Sequence, residues 1–322
     1  MAKIESEILV GKTLEWKGEF DLENKFIPEI ICTDRRNEFS IVRDEITINV
    51  LLIAKANIKE ILLTASENTE YENLSNVLFE LLKYENLFDG RFYETIILQL
   101  DGMDIAAIVS QKWLPYFGSK KSYTYICLKY DDDTEYKSLF QQWNEMCDNL
   151  GIIHQMYLYS CYSSDITPDV KLALLLQTFE PISDMLNDKG KIVLTKTPYI
   201  IKSAPCNHCG EMVSATIKNK ELLFSDRIRA VINKYGVGIF DNDNKEILIE
   251  KSVNLRNKVV HLDCGQTDVL TGEESGVYLY KFSLLYRNIV LNELGLESSG
   301  YNVIIENWIR NFDRKFNHCM IQ

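Results

Sequence analysis

The 322-residue chain is 46% hydrophobic and 25% charged, the balance of an ordinary globular protein long enough for roughly two domains with cores of their own. No apolar run approaches the roughly 18 residues of a membrane span, and MAKIESEILVGKTLEW has neither a basic leader nor an apolar signal core, so a cytoplasmic protein without a membrane partner is expected. The net charge of −12 argues against a polyanionic partner until it is divided: residues 166–322 hold 19 Lys+Arg against 19 Asp+Glu, and residues 1–165, with 16 against 28, carry all of it.

In chain order, the first half alternates β-like runs with two helical patches. EFSIVRDEITINVLLI, YETIILQL and SYTYICLKY are rich in Ile, Val, Thr and Tyr between turn-forming residues and predict strands. NLSNVLFELLKYENLF and EYKSLFQQWNEMCDNLG place apolar residues at helical spacing, as at Leu139, Phe140, Trp143, Met146, Cys147 and Leu150. FDGRFY and QLDGMD hold lone glycines that read as turns rather than phosphate loops, and DDDTE at 131–135 reads as a solvated loop and helix start. Residues 1–165 are therefore expected to form an acidic α+β or mainly β domain.

A boundary falls at SSDITPDV, where Thr167 can cap a helix beginning at Pro168, with Asp169 favourable in its first turn. The helix that follows carries Leu172, Leu175, Leu176, Phe179, Ile182 and Leu186 on one broad face. Further helices are predicted at 220–235, about 251–262, about 276–294 and 301–316, which makes residues 166–322 an all-α bundle. Between its first two helices lies an insertion, about residues 189–219, far longer than the roughly 2–8 residues of a helix connection. Strand-like segments flank Cys206-Asn207-His208-Cys209-Gly210 in it, so a Cys-containing hairpin is expected.

RNKVVH, at 256–261, places one of only four histidines five residues after an arginine. At about 100° per residue Asn257 and His261 share a helix face, whereas Arg256 and His261 diverge by about 140° and meet at a common ligand only if the arginine curls or the helix is distorted. Val253, Val260 and Leu255 are expected to face the core. Two readings compete. In one, Arg256 is a solvated helix residue and His261 an ordinary hydrogen-bonded histidine. In the other, the pair handles a phosphate.

RNKVVH resembles the R-x4-6-H motif of HEPN domains, including the Asn after the arginine. LALLLQTFEPIS looks like the first bundle helix of the ApeA-like HEPN group, with Glu180 at its acidic position. LLFSDRIRAVINKYG and YKFSLLYRNIVLNELGL resemble two of its later helices, so the likeness covers about residues 168–310. The first half looks more loosely like the sensor domain ahead of the bundle in ApeA-type defence proteins.

The resemblance implies an α+β protein in which a mainly β or mixed sensor domain precedes an all-α HEPN bundle. It further implies a metal-independent endoribonuclease that cuts single-stranded RNA loops such as those of tRNA, in anti-phage abortive infection, triggered by a phage protein. Arg256, Asn257, His261 and Glu180 would be its site, and it would act as a homodimer or a higher even-numbered oligomer. The run Val277–Leu294 is apolar enough to serve as the dimer face, or equally as the bundle's central helix. The competing class is a catalytically inactive HEPN scaffold or sensor that binds a protein partner.

The eight cysteines lie mostly singly in apolar segments, as buried thiols of a reducing compartment do. Cys206 and Cys209 are the exception, with the C-x2-C spacing of half a zinc site. His208, Cys264, His318 and Cys319 are candidate further ligands. A structural zinc held by Cys206, Cys209, Cys264 and His208, two free thiols and a redox dithiol all remain open. A zinc hydrolase would need a carboxylate base near Cys206, for which Glu211 is the one candidate.

Overall fold

Alternation of buried and exposed residues builds the first half. The computed structural model describes residues 9–19, 34–55, 58–89, 93–106, 133–162, 166–205, 208–263, 265–296 and 301–321. Six antiparallel strands, β1 (Val10–Glu19), β2 (Arg35–Arg43), β3 (Ile46–Lys55), β4 (Ile58–Glu70), β5 (Glu94–Leu100) and β6 (Met103–Asp104), pair in the order β2-β3-β4-β1-β5-β6. Leu14 and Trp16 of β1, Ile48, Val50 and Leu52 of β3, and Ile61, Leu63 and Ala65 of β4 are buried at every second position. Helix α1 (Tyr71–Asp89) packs on β4 and β1 through Leu74, Val77, Leu78 and Leu81, and α2 (Asp133–Leu150) packs on β2 and α1.

The run EFSIVRDEITINVLLI is two strands, not one. Asp44 and Glu45 take φ of 47° and 69°, the left-handed pair that a two-residue hairpin turn needs to follow strand twist. The predicted strand SYTYICLKY, at 122–130, lies outside the described residues.

Under this sheet Glu85 of α1 is buried with two cations, Arg35 at 2.5 Å and Lys59 at 2.7 Å, and accepts a hydrogen bond from Tyr136 at 2.7 Å. Burial alone would push the carboxyl up, but the two cations and the bonds from Lys59 and Tyr136 outweigh it and hold the group at about 2, against an ordinary 4.5. A depressed carboxylate contributes stability that is complete above its unfolded value and is lost as pH falls toward the folded one. The first unit should therefore lose on the order of 3 kcal/mol between pH 5 and pH 2. Glu85→Gln should be less stable at pH 7 and flatter in thermal midpoint across that window. An equal acid slope in both proteins would remove Glu85 as the cause.

The chain divides into two compact units: Met1–Gly151 with Cys161–Asp165 and Val290–Ile304, and Ile152–Ser160 with Ile166–Ile289 and Ile305–Gln322. The second unit contains most of α3 (Ile152–Tyr162), then α4 (Pro168–Asp188), α5 (Phe224–Tyr235), α6 (Lys245–Val260), most of α7 (Gly272–Glu293) and α8 (Tyr301–Phe316), ending in a 3-10 turn at Asn317–Cys319. Pro168 stands at the first position of α4. Thr167 occupies the cap with extended backbone, but its side chain makes no cap bond, and its carbonyl instead accepts from Lys171 N at 3.0 Å. All six apolar residues predicted for the buried face of α4 are buried, and α4 packs on α5 and α6.

Helix α7 is the central helix and not a free face. Every residue from Val277 to Ile289 is buried within one chain, Phe282 against Phe179 and Phe240, and Tyr286 against Tyr157 and His154. The alternative use of this run as a dimer surface is thereby overturned, since its side chains are already committed. None of the described helices is long and apolar enough to cross a membrane.

The insertion forms the expected hairpin, β7 (Tyr199–Pro205) with β8 (Met212–Lys218), in register from Tyr199↔Lys218 to Pro205↔Met212. Asp226 of α5 anchors its base by accepting from Thr197 N at 3.2 Å, from the Thr197 hydroxyl, and from Leu223 N at 3.0 Å. The last bond caps the start of α5.

Candidate active site

Three helices position the RNKVVH segment. Asn244 caps α6 by accepting from Ile247 N at 3.4 Å, and the helix buries Leu248, Ile249, Ser252 and Leu255. Of the expected core stripe only Leu255 holds: Val253 is half-buried and Val260 is 37% exposed. The buried stripe passes through Ser252, and this turns Arg256 toward α4 and α5.

Arg256 is consequently not a solvated helix residue. Its Nη2 donates to Glu180 Oε2 of α4 at 2.7 Å and to Gln177 Oε1 at 3.4 Å, while its guanidinium lies 4.6 Å from the centre of the Phe224 ring at the start of α5. The arginine is 13% exposed and the glutamate 42%. Arg227 of α5 bonds the same turn of α4 through the Glu180 carbonyl at 3.5 Å, Ser183 Oγ at 3.2 Å and the Asp184 carboxylate. Arg256 Nε and Gln177 Nε2 are buried without a hydrogen-bond partner among the described residues. Such groups cost about 1–3 kcal/mol each, and buried sites that carry them are candidates for completion by a ligand.

His261 is outside the regular helix. It is the C-cap of α6, exposed, with φ −98° and ψ 3°, and its N–H still bonds Asn257 O at 3.0 Å. Leu262 follows in the left-handed region at φ 54°, and Asp263 N returns to Asn257 O at 3.4 Å. The imidazole thus stands at a helix end open to solvent, and the Asn257 carbonyl holds the backbone that carries it. Asn257 itself is half-buried.

The structure therefore joins Glu180 to Arg256 through their side chains, whereas Asn257 and His261 are linked by the backbone bond of the last helical turn. Gln177 and Phe224 complete the arginine's surroundings and Arg227 braces the same turn of α4; none of the three is picked out as a site residue from sequence. Gln177 lies three residues before Glu180 on the same helix face, a relation that helical spacing could have exposed. Of the expected zinc set, Cys206 and Cys264 lie outside the described residues, whereas His208 and Cys209 are exposed and Cys209 Sγ lies 3.9 Å from Glu211 Oε2.

Residues 178–299 match the family model described as Apea-like HEPN, so the chain carries an Apea-like HEPN domain in its helical half. The matched segment includes Glu180, Phe224, Arg227, Arg256, Asn257 and His261. It suggests an RNA-related or nuclease role. No curated protein and no solved structure matches the chain.

Proposed function

We propose that the chain is a metal-independent endoribonuclease that cuts single-stranded loops of RNA, tRNA among them, in anti-phage abortive infection. The observation that supports this reading is an arginine fixed by Glu180, Gln177 and Phe224 on the helix that an exposed histidine caps five residues on. RNA brings its own nucleophile, the 2′-hydroxyl, so the protein has only to move protons and stabilise charge on the phosphate. The His261 imidazole is the proton carrier, since histidine is the side chain suited to exchange near neutral pH. Arg256 offers a permanent cation with forked donors to the phosphate oxygens. Asn257 holds the backbone at His261, and Glu180 is a positioning residue for Arg256. Loops are favoured over duplex because attack by the 2′-hydroxyl needs a backbone able to adopt in-line geometry.

One histidine per motif leaves in-line transfer short of a second proton carrier, and a homodimer with two facing motifs supplies it. The acidic first half is the regulator that responds to a phage trigger, a reading carried by the charge split alone; unchanged cleavage after deleting residues 1–151, which leaves Ile152–Ser160 with the second unit, would sink it. The competing reading, an inactive scaffold, is separated from the enzyme by one assay. Purified chain is incubated with a mixed tRNA pool in EDTA and the product ends are mapped, with His261→Ala as the matched control. Cleavage that survives chelation and leaves 2′,3′-cyclic phosphate and 5′-hydroxyl ends supports the proposal. Cleavage that needs a metal or leaves 5′-phosphates defeats it.

Glu180→Gln keeps an acceptor oxygen but removes the charge from Arg256's partner. It is expected to lower kcat by roughly tenfold, part of the ~10²-fold that a 1 Å misplacement can cost. A change confined to KM would make the pair a binding contact without a positioning role.

A further inference from the structure

We propose that Glu273, His318 and Cys319 form a zinc site that ties the start of α7 to the C-terminal turn. One ligand atom from each lies within 4.8 Å of the other two. Cys319 Sγ and Glu273 Oε2 are 3.8 Å apart, close to the roughly 3.6 Å edge expected between sulfur and oxygen on a tetrahedral zinc with ordinary bond lengths.

The fold aims these groups at one another. Thr271 and Glu274 form a reciprocal cap on α7: Thr271 N donates to Glu274 Oε2 at 2.6 Å, and Glu274 N donates to Thr271 Oγ1 at 3.2 Å. Glu274 also pairs with Lys251 at 3.5 Å, so its carboxylate is committed and Glu273 is the first-turn acid turned to Cys319. The C-terminal turn is held beside it. Ile321 N donates to the Tyr278 hydroxyl at 2.8 Å, and Asn244 N donates to Ile321 O at 2.8 Å. Adjacent His318 and Cys319 thus present nitrogen and sulfur from one 3-10 turn.

A thiolate, an imidazole and a carboxylate together suit zinc rather than magnesium or calcium, which take oxygen alone. Cys319 is buried while Glu273 and His318 are exposed, so solvent can fill the fourth position. On binding, the Cys319 S–H bond breaks, its proton passes to solvent and an S–Zn bond forms, with no change of oxidation state. His318 and Cys319 lie beyond the segment matched by the family model, and the site takes no part in the proposed RNA chemistry.

The test is titration of the full chain with Co²⁺ and then Zn²⁺, in wild type and in a Cys206→Ser/Cys209→Ser background that removes the other cysteine pair. In that background the expected result is one Co²⁺ with a thiolate-to-metal charge-transfer band, bleached by Zn²⁺ and lost on adding Cys319→Ser or His318→Ala. Absence of the band there, or its survival in Cys319→Ser, overturns the proposal. Should the background variant fail to fold, bound metal is counted in His318→Ala alone: one ion fewer than wild type supports the site and an equal count refutes it.

Discussion

Replacing His261 by alanine is expected to lower the rate of RNA cleavage by about 10²–10⁴-fold, the usual worth of a positioned general acid or base, while leaving the thermal midpoint where it was. The imidazole is exposed and its backbone N–H keeps the bond to Asn257 O whatever the side chain. Its loss therefore opens no cavity and strands no buried group. Arg256→Ala would be harder to read, because it strips an ion partner from Glu180 and a cation from the Phe224 ring as well. The comparison is made by single-turnover cleavage beside thermal unfolding. Activity within a few-fold of wild type in a folded His261→Ala protein would refute the catalytic role.

Lys281→Met is expected to destabilise the second unit by about 3–5 kcal/mol. Lys281 is fully buried in α7 between Asp243 at 2.6 Å and Asp313 at 2.9 Å. Asp243 also accepts from Tyr278 at 2.7 Å, and Asp313 accepts from Asn242 Nδ2 at 2.9 Å. Methionine fills a similar volume but leaves two carboxylates facing each other with no cation. Burial already pushes the Asp243 carboxyl up despite Lys281, with Asp313 adding to the rise. Without the cation it rises further above its unfolded value. The folded variant then binds more protons than the unfolded chain and gains stability as pH falls. Denaturant unfolding should show the deficit shrinking between pH 7 and pH 5. A deficit of constant size would mean that lost packing, rather than stranded charge, is responsible.

Much of the helical half could be read from local pattern. Pro168 and the spacing of Leu172 to Leu186 located α4, and the length of the 189–219 segment required structure of its own, which β7 and β8 supply. What local pattern missed has physical causes. Strand β1 contributes only Leu14 and Trp16 as large buried residues among lysines, glutamates and glycines, too few to stand out. Helix α3 buries His154, Tyr157, Leu158 and Cys161 at good helical spacing, but His154 and Tyr157 are of residue types only intermediate in burial, which leaves Leu158 and Cys161 as the core signal of the stripe. The stripe of α6 was misplaced because it runs through Ser252, which a polar–apolar reading assigns to solvent.

The site divides in the same way. RNKVVH stands out in the sequence and Glu180 enters through the resemblance, whereas its bond to Arg256 depends on how α4 and α6 pack. The Phe224 ring beneath the guanidinium belongs to another helix, and no spacing rule links residues 32 apart. The apolar run of α7 suited an interface as well as a core. Only the burial of Lys281 and Ser283 alongside its apolar residues shows that the chain spends that helix on itself.

The left-handed Leu262 separates two regimes of evolutionary tolerance. Up to Val260 the chain is regular helix and His261 caps it, so one residue gained or lost between Arg256 and that cap would swing the imidazole by about 100°. Beyond Leu262 that phase is no longer transmitted, and the segment from Asp263 to Thr271 can lengthen or shorten without moving the histidine. Among related chains, insertions and deletions should collect in that segment.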